Sequence, residues 1–158
     1  MLAALISLVL LFQVQTTVER AKALIETGKL SAARQALATA DPARPEVACL
    51  KGLLHYRARE HPAAIDCLKH AVEAPPENPA YKEAVQILGL SYYLGGQLKD
   101  AFPWLEKAAQ AGNRGPDVVY MLGNGYIQSV DPNKARAAFA CMFDVAPDSA
   151  AALDSRAR

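Results

Sequence analysis

The sequence lacks an excess of charge of either sign. Its 158 residues carry 17 Lys and Arg against 16 Asp and Glu, a net charge of +1, so no basic field is available to hold a polyanion. Nucleic acid is a poor fit as partner. Cysteine is also scarce: Cys49, Cys67 and Cys141 are an odd count with no short spacing, which argues against a disulfide framework and a zinc site. A bridge between Cys49 and Cys67 stays open only for an exported chain. No HExxH occurs, no Ser, His and Asp set sits in a recognisable context, and no glycine-rich loop follows a strand. His55, His61 and His70 lie close in sequence, with Cys67 three residues before His70, a spacing that puts two soft ligands on one helical face. The helical frame developed below sends the three histidines to a helix-pair interior, a turn and an outer surface. The expectation is a non-enzyme, without cofactor or metal.

What the chain has is alanine and hydrophobic residues. Ala accounts for 31 positions and apolar types for 52%, against 7% aromatics, a balance that favours helices around a real core. The first stretch stands apart. Met1 to Phe12 reads MLAALISLVLLF without a charge, too short to span a bilayer as a helix and suited to the apolar part of a secretory signal. Residues 1–15 are therefore set aside as a signal peptide or N-terminal hydrophobic segment; as a signal it implies export to the periplasm, the cell envelope or the outside, and otherwise the protein is expected to be membrane-anchored or cytoplasmic. The alternatives are an uncleaved membrane anchor, the one expected route to a membrane, and a buried helix.

The rest of the chain repeats itself. CLKGLLHYRAREHPAAIDCLKHAVEAPP (Cys49 to Pro76), QILGLSYYLGGQLKDAFPWLEKAAQAGN (Gln86 to Asn113) and YMLGNGYIQSVDPNKARAAFACMFDVAP (Tyr120 to Pro147) share one skeleton. Each has a glycine (Gly52, Gly89, Gly123), an alanine twelve residues on (Ala64, Ala101, Ala135) and a bulky residue four later (Leu68, Leu105, Phe139). A degenerate copy precedes them with Ala21, Ala33 and Leu37 at the same spacing. Ala33, Ala64, Ala101 and Ala135 are 31, 37 and 34 residues apart. Within each copy apolar residues recur at helical period for about three turns, break, and resume for about three more. Each copy is thus two helices joined by a tight turn, with breaks expected at Gly28, His61-Pro62, Gly95-Gly96 and Asp131-Pro132. The small residues let the two backbones cross closely. Leu68, Leu105 and Phe139 are expected to fill the space between neighbouring copies. Pro103 falls inside a second helix, which is expected to bend or to begin late, near Lys99 or Asp100.

A period near 34 residues with small side chains at these places resembles the tetratricopeptide repeat. The resemblance covers Thr16 to Pro147 and implies an all-α fold: an α-solenoid of helix-turn-helix repeats in a right-handed superhelix, three good copies plus the degenerate N-terminal one. The expected units are about 16–44, 45–79, 80–115 and 116–147. Residues 148–158 then form a capping helix or open a further repeat.

The implied function is a non-enzymatic scaffold or adaptor that holds a protein or peptide in a groove lined by the first helix of each copy. The inward positions are Tyr56 and Arg57 in the second copy, Glu83, Gln86, Leu90 and Tyr93 in the third, and Tyr120, Asn124 and Gln128 in the fourth. Repeat packing is assigned to Ala33, Gly52, Ala64, Gly89, Ala101, Gly123 and Ala135. An acidic residue enters each first helix (Glu46, Glu83, Asp117), where it also suits the helix dipole. The subclass of tetratricopeptide domains that clamps a C-terminal carboxylate uses Lys, Arg and Asn inward; here that face offers Asn124, Arg57 and, in the degenerate copy, Lys22, set among Glu46, Glu83 and Asp117, so a partner with basic or amide groups fits better. The other reading is an assembly module that stacks on further copies through its C-terminal end, or on another domain.

Overall fold

Hairpins closed by one recurring turn make up the molecule. The structure, a computed structural model, describes residues 17–113, 115–129 and 131–150. The expected signal segment and residues 151–158 of the expected cap lie outside them. Eight helices are present among the described residues, and no strand. They are α1 (17–26), α2 (Leu30–Leu37), α3 (Pro45–Arg57), α4 (His61–Ala71), α5 (Pro79–Leu94), α6 (Leu98–Gln110), α7 (Pro116–Gln128) and α8 (Pro132–Met142). Contacts divide the chain into two compact units, Met1–Ile87 and Leu88–Arg158, with the division inside α5.

The turns explain why the helices stop where they do. At the end of α1, α3, α5 and α7 an amide reaches back five residues: Lys29 to the Leu24 carbonyl (2.8 Å), Glu60 to His55 (2.9 Å), Gln97 to Tyr92 (2.9 Å) and Asp131 to Tyr126 (2.8 Å). This bond satisfies a carbonyl orphaned by the helix end and needs a left-handed residue just before the donor. Gly28 (φ 72°) and Gly96 (φ 77°) supply it in two hairpins. In the α3–α4 turn it is Arg59 (φ 61°), a side chain in a region that costs roughly 1–2 kcal/mol. The expected break at His61-Pro62 thus falls two residues late: the chain turns at Arg59, and both residues already belong to α4, where proline's missing N–H costs nothing.

In the first unit α3 and α4 pack through Gly52, onto which the Leu68 side chain folds so closely that a Cβ on the glycine would overlap it. The same contact recurs in the second unit. A Cβ on Gly89 would lie 2.9 Å from Leu105 Cδ2 and 3.0 Å from the Leu105 amide nitrogen, and one on Gly123 would lie 2.6 Å from Phe139 Cζ. The bulky residue therefore caps the glycine of its own hairpin. That corrects the expectation that it fills the gap between copies: sixteen residues of hairpin (52 to 68, 89 to 105, 123 to 139) return the chain to its own starting point. Ala33, Ala64 and Ala101 are fully buried, and Ala135 nearly so. Leu37, Leu54, Leu68, Leu88 and Leu105 are buried to 2% exposure or less, each contributing about 1.5–3 kcal/mol against an exposed position.

Helix α6 begins at Leu98, ahead of the late start expected from Pro103. The proline is its sixth residue and exposed, so the carbonyl of Lys99 loses an amide donor on the wet side.

Candidate functional site

The first helices carry the expected inward positions, and each unit places its own share. In the first unit α3 opens with Glu46, whose carboxylate accepts a hydrogen bond from Asn78 Nδ2 (3.1 Å) and stands 3.7 Å from Arg44 Nε. Its own backbone amide holds this carboxyl below the usual range against the opposing effect of burial, with Asn78 and Arg44 adding to the depression. Asn78 in turn accepts from the Ala80 amide (2.9 Å) at the start of α5, so Glu46 ties two helix starts together. Cys49 is buried, and burial first, then Glu83, pushes its thiol up to about 12. It stays protonated, unsuited to bind metal or attack. Tyr56 is half-buried with its ring edge-on to His61, centroids 6.3 Å apart, and Arg57 beside it is exposed.

Helix α5 spans both units. Its Glu83 and Gln86 are half-buried; Glu83 is the fifth residue of the helix, beyond the first turn where it was expected. Leu90 is 4% exposed, so it packs and offers nothing to a partner, a correction to its place among the binding residues. Its position is apolar because the helix there is enclosed; the frame alone gives direction but no depth. Tyr93 is half-buried and Leu94 is exposed.

In the second unit α7 turns Val118, Val119, Leu122, Gly123 and Gly125 inward. The opposite face carries Asp117, Tyr120, Asn124, Ile127 and Gln128. Tyr120 is 50% and Ile127 56% exposed, with Asn124 half-buried between them. Positions three and four apart line one side of a helix, so this is a continuous aromatic, amide and aliphatic stripe with a carboxylate at its N-terminal end.

The histidines do not converge. His55 Nδ1 lies 2.5 Å from Glu60, whose two carboxylate oxygens also accept from Arg34 Nη2 at 3.1 Å. His70 is exposed, 3.8 Å from Glu73. Burial raises the Cys67 thiol. Among the described residues no group of three or more His, Cys, Asp or Glu could hold a metal ion, and no helix is long and apolar enough to cross a membrane.

Two features escaped the sequence frame. Gly125, two residues after Gly123, lies under the ring of Phe102 where α6 meets α7. The Gly-Asn-Gly run carries that signal, since a second glycine in mid-helix costs about 1 kcal/mol unless something needs the space. The other is an apolar cleft of about 300 Å³ in the second unit, lined by Val119, Leu122, Ala137, Ala138 and Cys141. At its rim Tyr126 donates to Glu106 (2.6 Å), and Lys134 Nζ stands 5.4 Å from the Tyr126 ring centroid. Burial and the Glu106 bond both raise the Tyr126 phenol.

Hairpins of this length, closed on a glycine and repeated along the chain, define a helical-repeat protein. Residues 18–79 and 49–116 match the family model of the tetratricopeptide repeat, and the chain belongs to that family. The match ends as α7 begins, yet the hairpin of α7 and α8 repeats the glycine contact. Repeats of this family generally mediate contacts between proteins. A comparison with curated proteins returned no match.

Proposed function

We propose that this protein is a non-enzymatic adaptor that seats a segment of a partner protein on the exposed face of α7 and on Tyr93. The observation that carries this reading is the pair Tyr120 and Ile127, two large apolar side chains at least half exposed on a helix whose other face is fully committed to packing. Tyrosine is a frequent anchor because its ring is apolar while its hydroxyl still finds partners. Asn124 adds an amide between them, and Asp117 favours a partner with basic or amide groups. Export of the protein is part of this reading, supported by the uncharged Met1 to Phe12 run.

A photo-crosslinking amino acid at Tyr120 tests the site, with the same group at Lys107 as control. Partner adducts from position 120 and none from 107 are expected in the native host. Adducts from 107 alone would move binding off this face. For export, residues 1–19 fused to a reporter active only outside the cytoplasm should give activity, and silence would refute it.

A further inference from the structure

Each hairpin can be measured against its siblings, and the last one differs. Second helices α4 and α6 show water polar or charged side chains at matching places: His70 in one, Lys107 in the other, 37 residues on. A further 34 residues on, α8 has Cys141. Where α4 exposes Asp66, α6 exposes Pro103 and α8 exposes Ala137. Just beyond, Met142 and Phe143 are 38% and 56% exposed, whereas their counterparts Ala71 and Ala108 (for Met142) are buried. The apolar cleft adjoins this face. An ordinary solvated helix would not lose its polar residues on one side only.

We infer that this face of α8 is where a second copy of the chain docks, two α8 helices packing antiparallel through the Lys134, Ala137 and Cys141 stripe, about a two-fold axis that crosses the helix at the level of position 139. Charge selects the occupant. The exposed stripe of α8 begins with the cation Lys134 and ends at the exposed Asp144 just past the helix; each is five positions from 139 (139 − 134 and 144 − 139). An antiparallel two-fold therefore brings Lys134 of each copy to Asp144 of the other, twice per dimer. At home Lys134 meets Asp131 at 3.7 Å, largely exposed, and stands 5.4 Å from the Tyr126 ring centroid, while among the described residues no ion pair joins Asp144 to a cation. Between the two charges lie Ala137 and Cys141, small enough for close helix approach. Met142 is flexible and suited to the neighbouring cleft, where a thioether fills irregular space. A net charge of +1 gives two copies little reason to repel. One helix face is at the low end of specific interface sizes, so the dimer is weak and concentration-dependent. This inference is independent of the α7 face and its partner.

Sedimentation velocity of the full chain over a range of concentrations tests it. A reversible dimer is expected, with Cys141 increasingly shielded from maleimide as the dimer fills. Lys134→Asp and Asp144→Lys, each alone, should raise the dissociation constant about tenfold or more, because each sets like charges against one another. The double swap should restore association to within about threefold. A chain monomeric at all concentrations overturns the inference. So does a dimer indifferent to the single reversals, or one the double swap fails to restore. A full chain that stays monomeric while one ending at Ala150 dimerises would assign the face to the chain's own last residues, and would equally overturn it.

Discussion

Phe102 lies with its ring across Gly125, in the space a methyl group on the glycine would fill. In an open helix, glycine to alanine gains about 1 kcal/mol. Here the ring must leave first, so Gly125→Ala should lower stability by about 1–3 kcal/mol. In a Phe102→Ala background the same substitution should turn stabilising. Denaturant midpoints of the four variants form the cycle that checks it, and a Gly125→Ala effect of the same sign in both backgrounds would refute the contact.

Gly89 is the stricter case because its neighbour is the backbone amide of Leu105, which cannot rotate away. Gly89→Ala should cost about 1 kcal/mol or more after its propensity gain is counted. Ala101→Leu, at a fully buried position, should cost about 1–3 kcal/mol. An unchanged unfolding midpoint in either would mean the hairpin register is wrong.

Arg59 holds the left-handed position that Gly28 and Gly96 hold in other hairpins. Arg59→Gly should stabilise by up to about 1 kcal/mol, relief of strain exceeding the entropy gained by the unfolded chain. Gly28→Ala should do the reverse. Thermal midpoints measured side by side decide the sign.

Glu46 has its carboxyl depressed in the fold, so its contribution is present above the unfolded value near 4.5 and disappears as pH falls through the lower folded value. Its NMR titration should therefore have a midpoint below that of an exposed glutamate. Asn78→Ala should move the midpoint upward, part of the way back. A midpoint unmoved by Asn78→Ala would contradict the hydrogen bond.

For the partner, Tyr120→Ala and Tyr93→Ala should each cost about 1–3 kcal/mol of affinity. Asp117→Lys should mainly slow association and flatten its salt dependence, since the charge is exposed at the rim. Glu83, half-buried, is the poorer probe of the same effect. Lys69→Ala and Lys107→Ala should leave affinity unchanged in a surface plasmon resonance titration.

The repeated Gly, Ala and bulky skeleton was sufficient to read the hairpins, because close helix crossing restricts side-chain size at fixed intervals and so leaves a mark in the sequence. Depth was less legible. Leu90 and Ile127 are both aliphatic on the stripe facing away from the hairpin partner, and one is 4% exposed, the other 56%. Such a difference comes from what packs over each helix, which spacing along one helix does not encode. The Arg59 turn was hidden for a related reason: left-handed backbone is normally announced by glycine, and here an arginine adopts it. Glu46 was read as a dipole partner, and its bond to Asn78, 32 residues on, depended on tertiary proximity.

The sixteen-residue return of the last three hairpins onto their own glycines also bears on how the chain folds. Closing so short a loop costs little entropy, and no contact of this kind waits for a distant part of the chain. Each hairpin is thereby a site at which folding can begin, and the order in which they form is free to differ from one molecule to the next. A substitution at Gly52 should raise the barrier for its own hairpin while parallel routes through Gly89 and Gly123 keep the overall folding rate nearly unchanged, so that the damage appears chiefly as faster unfolding.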